Sequence, residues 1–296
     1  MINYGIPYMG SKSKIAADLI RVLPSGKRFV DVFAGGCAMT HAAMLVGRWD
    51  RFLVNDVCDA PALFVDAVKG KYRNEDRWIS REDFFRLKAT DGYARFCFSF
   101  GNNGESYMYS TSIEPYKKAC HYAVVFDDWG LFDSLCPEVS GAAKRALRGK
   151  TDRTQRRLAL GPAVVAHLKA LRKPGLIESN PLYASYKPAS LQSLECLERR
   201  KGDYRTLVIE PGDVLYCDPP YKGTATYNGT GFDHEAFYSW AEAQAAKGVP
   251  VYISEYDMPS DRFLCIWRKK TRSLMSQKGT DGDVEERLFV PRPKRK

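Results

Sequence analysis

Apolar positions along this chain follow two different periods, and the switches between them outline its architecture. After Ser11, Ile15, Leu19, Val22 and Leu23 fall on one helical face, and the pattern stops before Pro24 and Gly26. Phe29-Val30-Asp31-Val32-Phe33 then reads as a short strand that breaks into Ala34-Gly35-Gly36 and is followed by a helical stretch to Gly47. Phe52-Leu53-Val54 is a second strand ending at Asn55-Asp56, with Leu63, Phe64, Ala67 and Val68 marking the next helix. Strand, loop and helix in alternation predict a parallel α/β sheet. Ser80 and Asp83 predict a capped helix start. Arg95-Phe96-Cys97-Phe98-Ser99-Phe100 alternates as a strand would, and ends in the turn Gly101-Asn102-Asn103-Gly104.

From about 107 to 205 the alternation stops. This stretch predicts helices, one with Leu158, Val165, Leu168 and Leu171 on one side, and a later one carrying Leu191, Leu194 and Leu197. The sheet pattern resumes at Val214-Leu215-Tyr216-Cys217. A helix opened by Asp233 follows, carrying Phe237 and Trp240, and then strand-like runs at 251–253, 263–267 and 288–290. The expected organisation is a catalytic domain from 1–106 and 206–296, interrupted by a basic, mostly helical insertion over 107–205.

Composition narrows the class. With 296 residues, 45% of them hydrophobic, the chain can bury a core and is not a disordered polymer. No run approaches the ~18 apolar residues of a membrane span, and Met1 to Lys14 lacks the apolar stretch of a secretory signal. Eight cysteines without a Cys-x-x-Cys pair predict reduced thiols and a cytoplasmic protein. His41, His121, His167 and His234 show no metal-ligand spacing, so no metal site is expected.

The net charge of +10 is local. Between residues 144 and 173 stand Lys144, Arg145, Arg148, Lys150, Arg153, Arg156, Arg157, Lys169, Arg172 and Lys173 against Asp152 alone. A basic block on helical periodicity is the electrostatic footprint of a nucleic-acid contact, where cations displace condensed counterions. The plainer alternative is a solvated helix face. Lys144, Arg145, Arg148, Arg153, Arg156 and Arg157 are the candidate DNA contacts. Arg268, Lys269, Lys270 and Arg272 form a smaller cluster, and a basic tail runs from Arg292.

Chemistry concentrates in Asp218-Pro219-Pro220-Tyr221, at the end of the run Val214 to Cys217. Open α/β sheets place ligands at the carboxyl ends of their strands. The two prolines fix the backbone and remove two N–H donors, leaving the carbonyls of Asp218 and Pro219 as acceptors, with an aromatic ring next to them. Two acceptors and a ring suit a planar amine on a base; an ordinary Pro-Pro turn is the alternative. Upstream, Asp31 to Ala38 ends a strand in glycines that let a ligand approach the backbone and then starts a helix, a pattern shared by many nucleotide sites. It is not a Walker-type phosphate loop. Asp56, 21 positions after Gly35, has the spacing of an acid that takes ribose hydroxyls.

On these residues the chain resembles the Dam-type, D12-class DNA adenine-N6 methyltransferases of the α group, in which cofactor motif, recognition insertion and Asp-Pro-Pro-Tyr follow in that order. Tyr8-Met9-Gly10-Ser11-Lys12 resembles that family's opening cofactor element, Phe33-Ala34-Gly35-Gly36 its Phe-x-Gly motif, Asn55-Asp56 its ribose-binding acid, and Asp218 to Tyr221 its catalytic tetrapeptide. Phe232-Asp233-His234, Ile253-Ser254-Glu255-Tyr256 and Glu286-Arg287-Leu288-Phe289-Val290 resemble elements downstream of the tetrapeptide. Cys37-Ala38 departs from the pattern, where the family usually has a further glycine or Gly-Ser.

The resemblance implies a Rossmann-like methyltransferase sheet with a helical DNA-recognition insertion, S-adenosylmethionine as cofactor and double-stranded DNA as partner. It implies that Tyr8, Lys12, Asp31, Phe33, Ala34, Gly35, Asp56 and Asp218 serve the cofactor, with Lys12 near its carboxylate and Asp56 on the ribose. Asp218, Pro219, Pro220 and Tyr221 would be catalytic, the acid and the Pro219 carbonyl gripping the amine and Tyr221 stacking on the flipped base. Cys37 reads as packing against the cofactor loop, with a reactive thiol at a helix start as the alternative.

Overall fold

The computed structural model describes residues 4–72, 75–170, 195–222, 231–272 and 283–293. Two compact units emerge. The first, built from Asn3–Ile6, Gly10–Gly70 and Pro188–Lys296, holds a seven-stranded sheet. Its strands are β1 (Gly26–Asp31), β2 (Trp49–Asp56), β3 (Leu197–Lys201), β4 (Asp213–Cys217), β5 (Val251–Glu255), β6 (Phe263–Arg272) and β7 (Asp283–Pro291), in the spatial order β3-β2-β1-β4-β5-β7-β6. The first five named strands run parallel, while β7 inserts antiparallel between β5 and β6. This is the parallel α/β sheet expected from the alternating pattern, in the Rossmann-like form that the resemblance implies.

Helix α1 (Ala16–Val22) leads into β1, and α2 (Ala38–Val46), α3 (Ala60–Val68) and α10 (His234–Ala246) lie between successive parallel strands. All five residues of β4 are buried, as a strand covered on both faces requires. Val30, Val32, Leu215, Cys217 and Ile253 form one core with Phe237 and Ala241 of α10. Arg28 of β1 and Asp213 of β4 face each other across the ladder, paired through two hydrogen bonds of 2.9 and 2.7 Å. A buried bidentate pair of this kind fixes register, because a slip would strand two charges in the core.

The strand order reverses between β1 and β4, so the loops that follow them diverge and leave a crevice at their carboxyl ends. Register then decides which residues meet there. Asp31 lies opposite Val54 and Tyr216, which sets the loop after β1, the end of β2 and the tetrapeptide after β4 along one edge.

The second unit draws on Pro7–Met9 and Lys71–Lys187. It contains α4 (Arg81–Leu87), α5 (Gly92–Cys97), α6 (Glu114–Val125), α7 (Gly130–Leu135), α8 (Pro137–Leu147) and α9 (Arg153–Ala170). The predicted cap is present, with Ser80 accepting from the Asp83 amide. Residues 95–100 are not a strand. Asp91 caps the amides of Tyr93 and Ala94 and starts α5, whose Tyr93, Ala94, Phe96 and Cys97 are all buried; a helix buried on several sides can mimic strand alternation over six residues. Only Ser99 makes a β-bridge, to Tyr107, and the turn at 101–104 forms as expected.

Two details of the predicted insertion also change. Leu197 lies in β3, paired with Phe52, because the edge of β2 offers it backbone partners. In α9 the inward residues are Leu160 and Val164, packed with Ala143, Leu147 and Val124, whereas Leu158 is 69% exposed. Leu171, Arg172, Lys173, Leu191 and Leu194, and the side chains of Leu168 and Lys169, lie outside the described residues.

Arg156 is a strut of this unit. Its guanidinium donates to the carbonyls of Ala123 (2.7 Å) and Lys150 (3.2 Å) and to Asp127 (2.6 Å), joining α9 to the end of α6. Arg156→Ala is therefore expected to cost about 1–2 kcal/mol of stability, since it orphans buried carbonyls. Chemical denaturation checks this, and an unchanged midpoint would release Arg156 from the role.

Candidate active site

The N-terminal segment braces the loop after β1. Gly5, at φ +69°, crosses it so closely that a Cβ there would lie 2.3 Å from the Gly36 carbonyl, so only glycine fits. The Gly5 amide donates to His41 Nδ1 at 3.0 Å and that of Ile6 to Gly36 O at 2.8 Å. Behind the loop, the Ala34 amide donates to Asn55 O, and Asn55 Nδ2 donates to the carbonyls of Val32 and Gly202. The loop is thereby tied to β2 on one side and to the N-terminal segment on the other.

Its acids have defined partners. Asp31 Oδ2 accepts from the Thr40 hydroxyl at 2.7 Å and the Thr40 amide at 3.2 Å. Asp56 Oδ2 accepts from the Gly35 amide at 2.8 Å and its Oδ1 from the Cys58 amide at 2.9 Å. A carboxylate accepts about four hydrogen bonds, so Asp56 keeps capacity for two hydroxyls. Phe33 packs its ring against Tyr204, Phe232 and Phe237, while Ala34 is nearly buried. Cys37 takes the left-handed φ of +59° before α2 with its side chain wholly buried, and burial pushes its thiol up, so packing is its role.

Beyond β4 the tetrapeptide meets residues from three other elements. Lys12, in a 3₁₀ turn capped by Ser11, places Nζ 3.0 Å from Asp218 Oδ1, 3.9 Å from Glu286 Oε2, and 4.5 Å from the centroid of the Tyr221 ring. Burial alone would lower the Lys12 ammonium, but Asp218 and Glu286 more than offset it and keep it charged. The Tyr221 hydroxyl donates to Glu286 Oε2 at 2.9 Å, and its ring meets Tyr256 edge-on with centroids 4.5 Å apart. Glu255, 1% exposed, accepts from the amides of Tyr256 (2.8 Å) and Lys222 (3.3 Å), which pins the chain just after the tetrapeptide. Asp218 Oδ1 is buried, and despite the nearby ammonium it accepts no aligned hydrogen bond.

Lys12, Asp31, Gly35, Asp56, Asp218 and Tyr221 thus belong to one sheet unit, as the motifs predict. Tyr8 is described with the helical unit, where its ring packs on Phe96 at 5.7 Å. Of the basic candidates, Lys144 pairs with Asp133 at 2.7 Å, Arg153 with Asp76 at 3.7 Å and Arg156 with Asp127. Arg145 and Arg148 are exposed, and Arg157 is half-buried. Glu255 and Glu286 are the residues that sequence reasoning passed over. Both stood inside stretches recognised as motif-like, and a charged residue within a strand pattern was the available signal.

The site is rich in acids that burial holds partly protonated. Burial raises Asp31 to about 7 against the Thr40 hydrogen bonds, raises Glu255 to about 7, and raises Asp218 to about 6 against the pull of Lys12. A carboxyl whose folded value lies above its unfolded one near 4 binds more protons in the folded state between the two. Stability therefore falls as pH rises from about 4 to 7. Urea unfolding is expected to show a loss of several kcal/mol between pH 5 and 8, and Asp31→Asn should make the slope shallower. Equal slopes in the two proteins would refute the assignment.

Residues 8–121 match the family model of the D12 class N6 adenine-specific DNA methyltransferases. Over 94% of its length the chain aligns with 85% of the retron Ec67 DNA adenine methylase of Escherichia coli, at 25% identity. Among solved structures, the rRNA methyltransferase AviRa of Streptomyces viridochromogenes aligns with 94% of this chain over 84% of its own, at 12% identity and a TM-score of 0.36. Over residues 8–121 the chain is thus similar to the D12 class N6 adenine-specific DNA methyltransferases, and over most of its length to a DNA adenine methylase, with the tetrapeptide standing at the carboxyl end of β4.

Proposed function

We propose that this enzyme transfers a methyl group from S-adenosylmethionine to the N6 amine of adenine in duplex DNA, with the target base turned out of the helix. The observation that carries this reading is the half-buried Asp218 carboxylate at the carboxyl end of β4, with the Lys12 ammonium 3.0 Å from Oδ1 and Tyr221 beside it. The residues present also fit the cofactor. Asp31, Asp56, Asp218, Glu255 and Glu286 outnumber Lys12, so the site favours a ligand bearing sulfonium and ammonium charge. Asp56 has capacity for ribose hydroxyls, and the loop Phe33-Ala34-Gly35 would border the ligand.

When bound, the cofactor supplies a methyl group activated by its sulfonium. The chain's own task is to make a poor nucleophile attack, because the lone pair of an adenine amine is delocalised into the ring. Asp218 and the Pro219 carbonyl would accept its two hydrogens, localising the lone pair and favouring the positive charge that develops on nitrogen. Pro219 and Pro220 keep that pair of acceptors rigid. Tyr221 would stack on the base, worth roughly 1–3 kcal/mol. A cavity of about 480 Å³ lined by Lys222, Tyr238, Glu255, Tyr256, Met258 and Pro259 adjoins the tetrapeptide and offers room for an extruded purine.

The helical part of 107–205 would read the target, with the basic block on phosphates and β3 left to the sheet, in a cytoplasmic protein acting on bacterial or phage-type DNA. Incubation with labelled cofactor and genomic DNA, followed by mapping of modified bases, tests the whole reading; label on adenine N6 is expected. Label on cytosine N4 would favour the related amine chemistry on the other base. Absence of cofactor binding by calorimetry would identify an inactive DNA-binding relative.

A further inference from the structure

Tyr221 directly, and Asp218 through Lys12, are braced from the antiparallel strand β7 by a residue that neither the tetrapeptide nor the glycine loop contains. The Glu286 carboxylate accepts the Tyr221 hydroxyl at 2.9 Å and lies 3.9 Å from the Lys12 ammonium. That ammonium is 3.0 Å from Asp218 and 4.5 Å from the centre of the Tyr221 ring. Glu286, Tyr221 and Lys12 close a ring of contacts, and Lys12 joins Asp218 to it. Lys12 is 8% and Glu286 15% exposed, so little water competes. Glu286 comes from a strand whose ladder with β5 pairs Arg287 with Glu255 and Leu288 with Ser254, so its backbone position is fixed by the sheet rather than by a loop.

We propose that Glu286 is the positioning residue of the methyl-transfer site: it anchors the Tyr221 phenol and gives Lys12 a second carboxylate. This keeps the stacking ring and the amine-gripping acid in fixed relation. The proposal rests on the adenine-methylation reading for its kinetic consequence, but not for its electrostatic one.

A second carboxylate matters because Lys12 already neutralises Asp218. An amine entering at Asp218 must share that acid with the ammonium, and Glu286 offers the displaced charge somewhere to go. The groups that face Asp218 are Lys12 from the 3₁₀ turn, Glu286 from β7, Tyr221 from its own loop, Asp31 from β1, Glu255 from β5 with Tyr256 after it, and the buried Tyr216 and Cys217 of β4. Of these, Lys12 draws the Asp218 proton off, whereas Glu286 holds it on. Removing the Glu286 charge should therefore lower the pH at which Asp218 ionises.

The experiment compares wild type with Glu286→Gln, which keeps an acceptor for Tyr221 but loses the charge, Glu286→Ala, which loses both, and Tyr221→Phe. Carboxyl ¹³C NMR, with Asp218 assigned through Asp218→Asn, follows its titration in each. The Asp218 titration is expected to move to lower pH in both Glu286 variants, and the acid limb of kcat to move with it. At the plateau, kcat for DNA should drop roughly ten- to a hundredfold in Glu286→Ala, less in Glu286→Gln, with KM for the cofactor within about threefold. In a Tyr221→Phe background, Glu286→Gln should have a smaller effect on kcat than it has in wild type. An unmoved Asp218 titration in folded Glu286→Gln overturns the proposal. A wild-type chain that methylates no adenine overturns the functional reading instead, and the Asp218 titration still decides the coupling.

Discussion

Asp218→Ala is expected to lower methyl transfer by roughly three orders of magnitude, the scale on which removing one preorganised electrostatic partner of a transition state acts. The substitution takes away the acceptor on which charge localisation at the amine depends, and the Pro219 carbonyl alone cannot align the lone pair. The fold should survive. Asp218 is an acid that burial raises to about 6, so at pH 8 the folded state carries it at a cost that the alanine removes. Lys12 keeps Glu286 as a partner. DNA affinity should change little, because phosphate contacts dominate it. Single-turnover assays with labelled cofactor, beside calorimetric DNA binding, check both halves. A variant that still methylates within tenfold of wild type would remove Asp218 from the mechanism. In wild type, the rate should rise with pH through the Asp218 ionisation near 6, since only the carboxylate is a strong acceptor.

The second large effect concerns DNA. Reversing the charge of the exposed Arg145 and Arg148 together, as Glu, should weaken DNA binding by roughly two to three orders of magnitude at low salt. It should also reduce the salt slope by about two phosphate contacts or more and leave cofactor affinity unchanged. Arg145 sits in the last turn of α8 and Arg148 is its C-cap, where cations suit the helix dipole, so the folded state tolerates them with no acid partner among the described residues. The neighbouring basic residues are poorer probes. Lys144, Arg153 and Arg156 each pair with an acid of their own unit, so their loss mixes folding with binding. Unchanged affinity in the double reversal would make the block a solvated face.

Much of this was legible because it was local. A near-continuous apolar run before Asp218, two prolines and an aromatic ring announce a strand end and a rigid acceptor pair in any context. The same holds for the caps at Ser80 and Asp233, where side chain and amide are three residues apart. What misled was also local. Arg95 to Phe100 alternates like a strand, yet the Asp91 cap and burial around α5 made it a helix. Leu197 looked helical until the free edge of β2 gave it a ladder. Leu158 fell on the wrong side of α9, because which helical face is buried depends on where α6 and α8 lie.

The amino-acid sequence by itself determined the alternation that makes the sheet, the acids that end its strands, and the placement of nearly all excess charge in one helical stretch. Local propensity, spacing and composition carry that information without any fold. Only the tertiary structure decided that Lys12, Asp218, Tyr221 and Glu286 form one interacting group, drawn from both ends of the chain by the reversal of strand order at β1 and β4 and by the antiparallel return of β7. It likewise decided which arginines are struts and which remain exposed. Contacts between residues far apart in sequence, and the burial that shifts an acid from near 4 to 6 or 7, exist only once the chain has excluded water from the space between them.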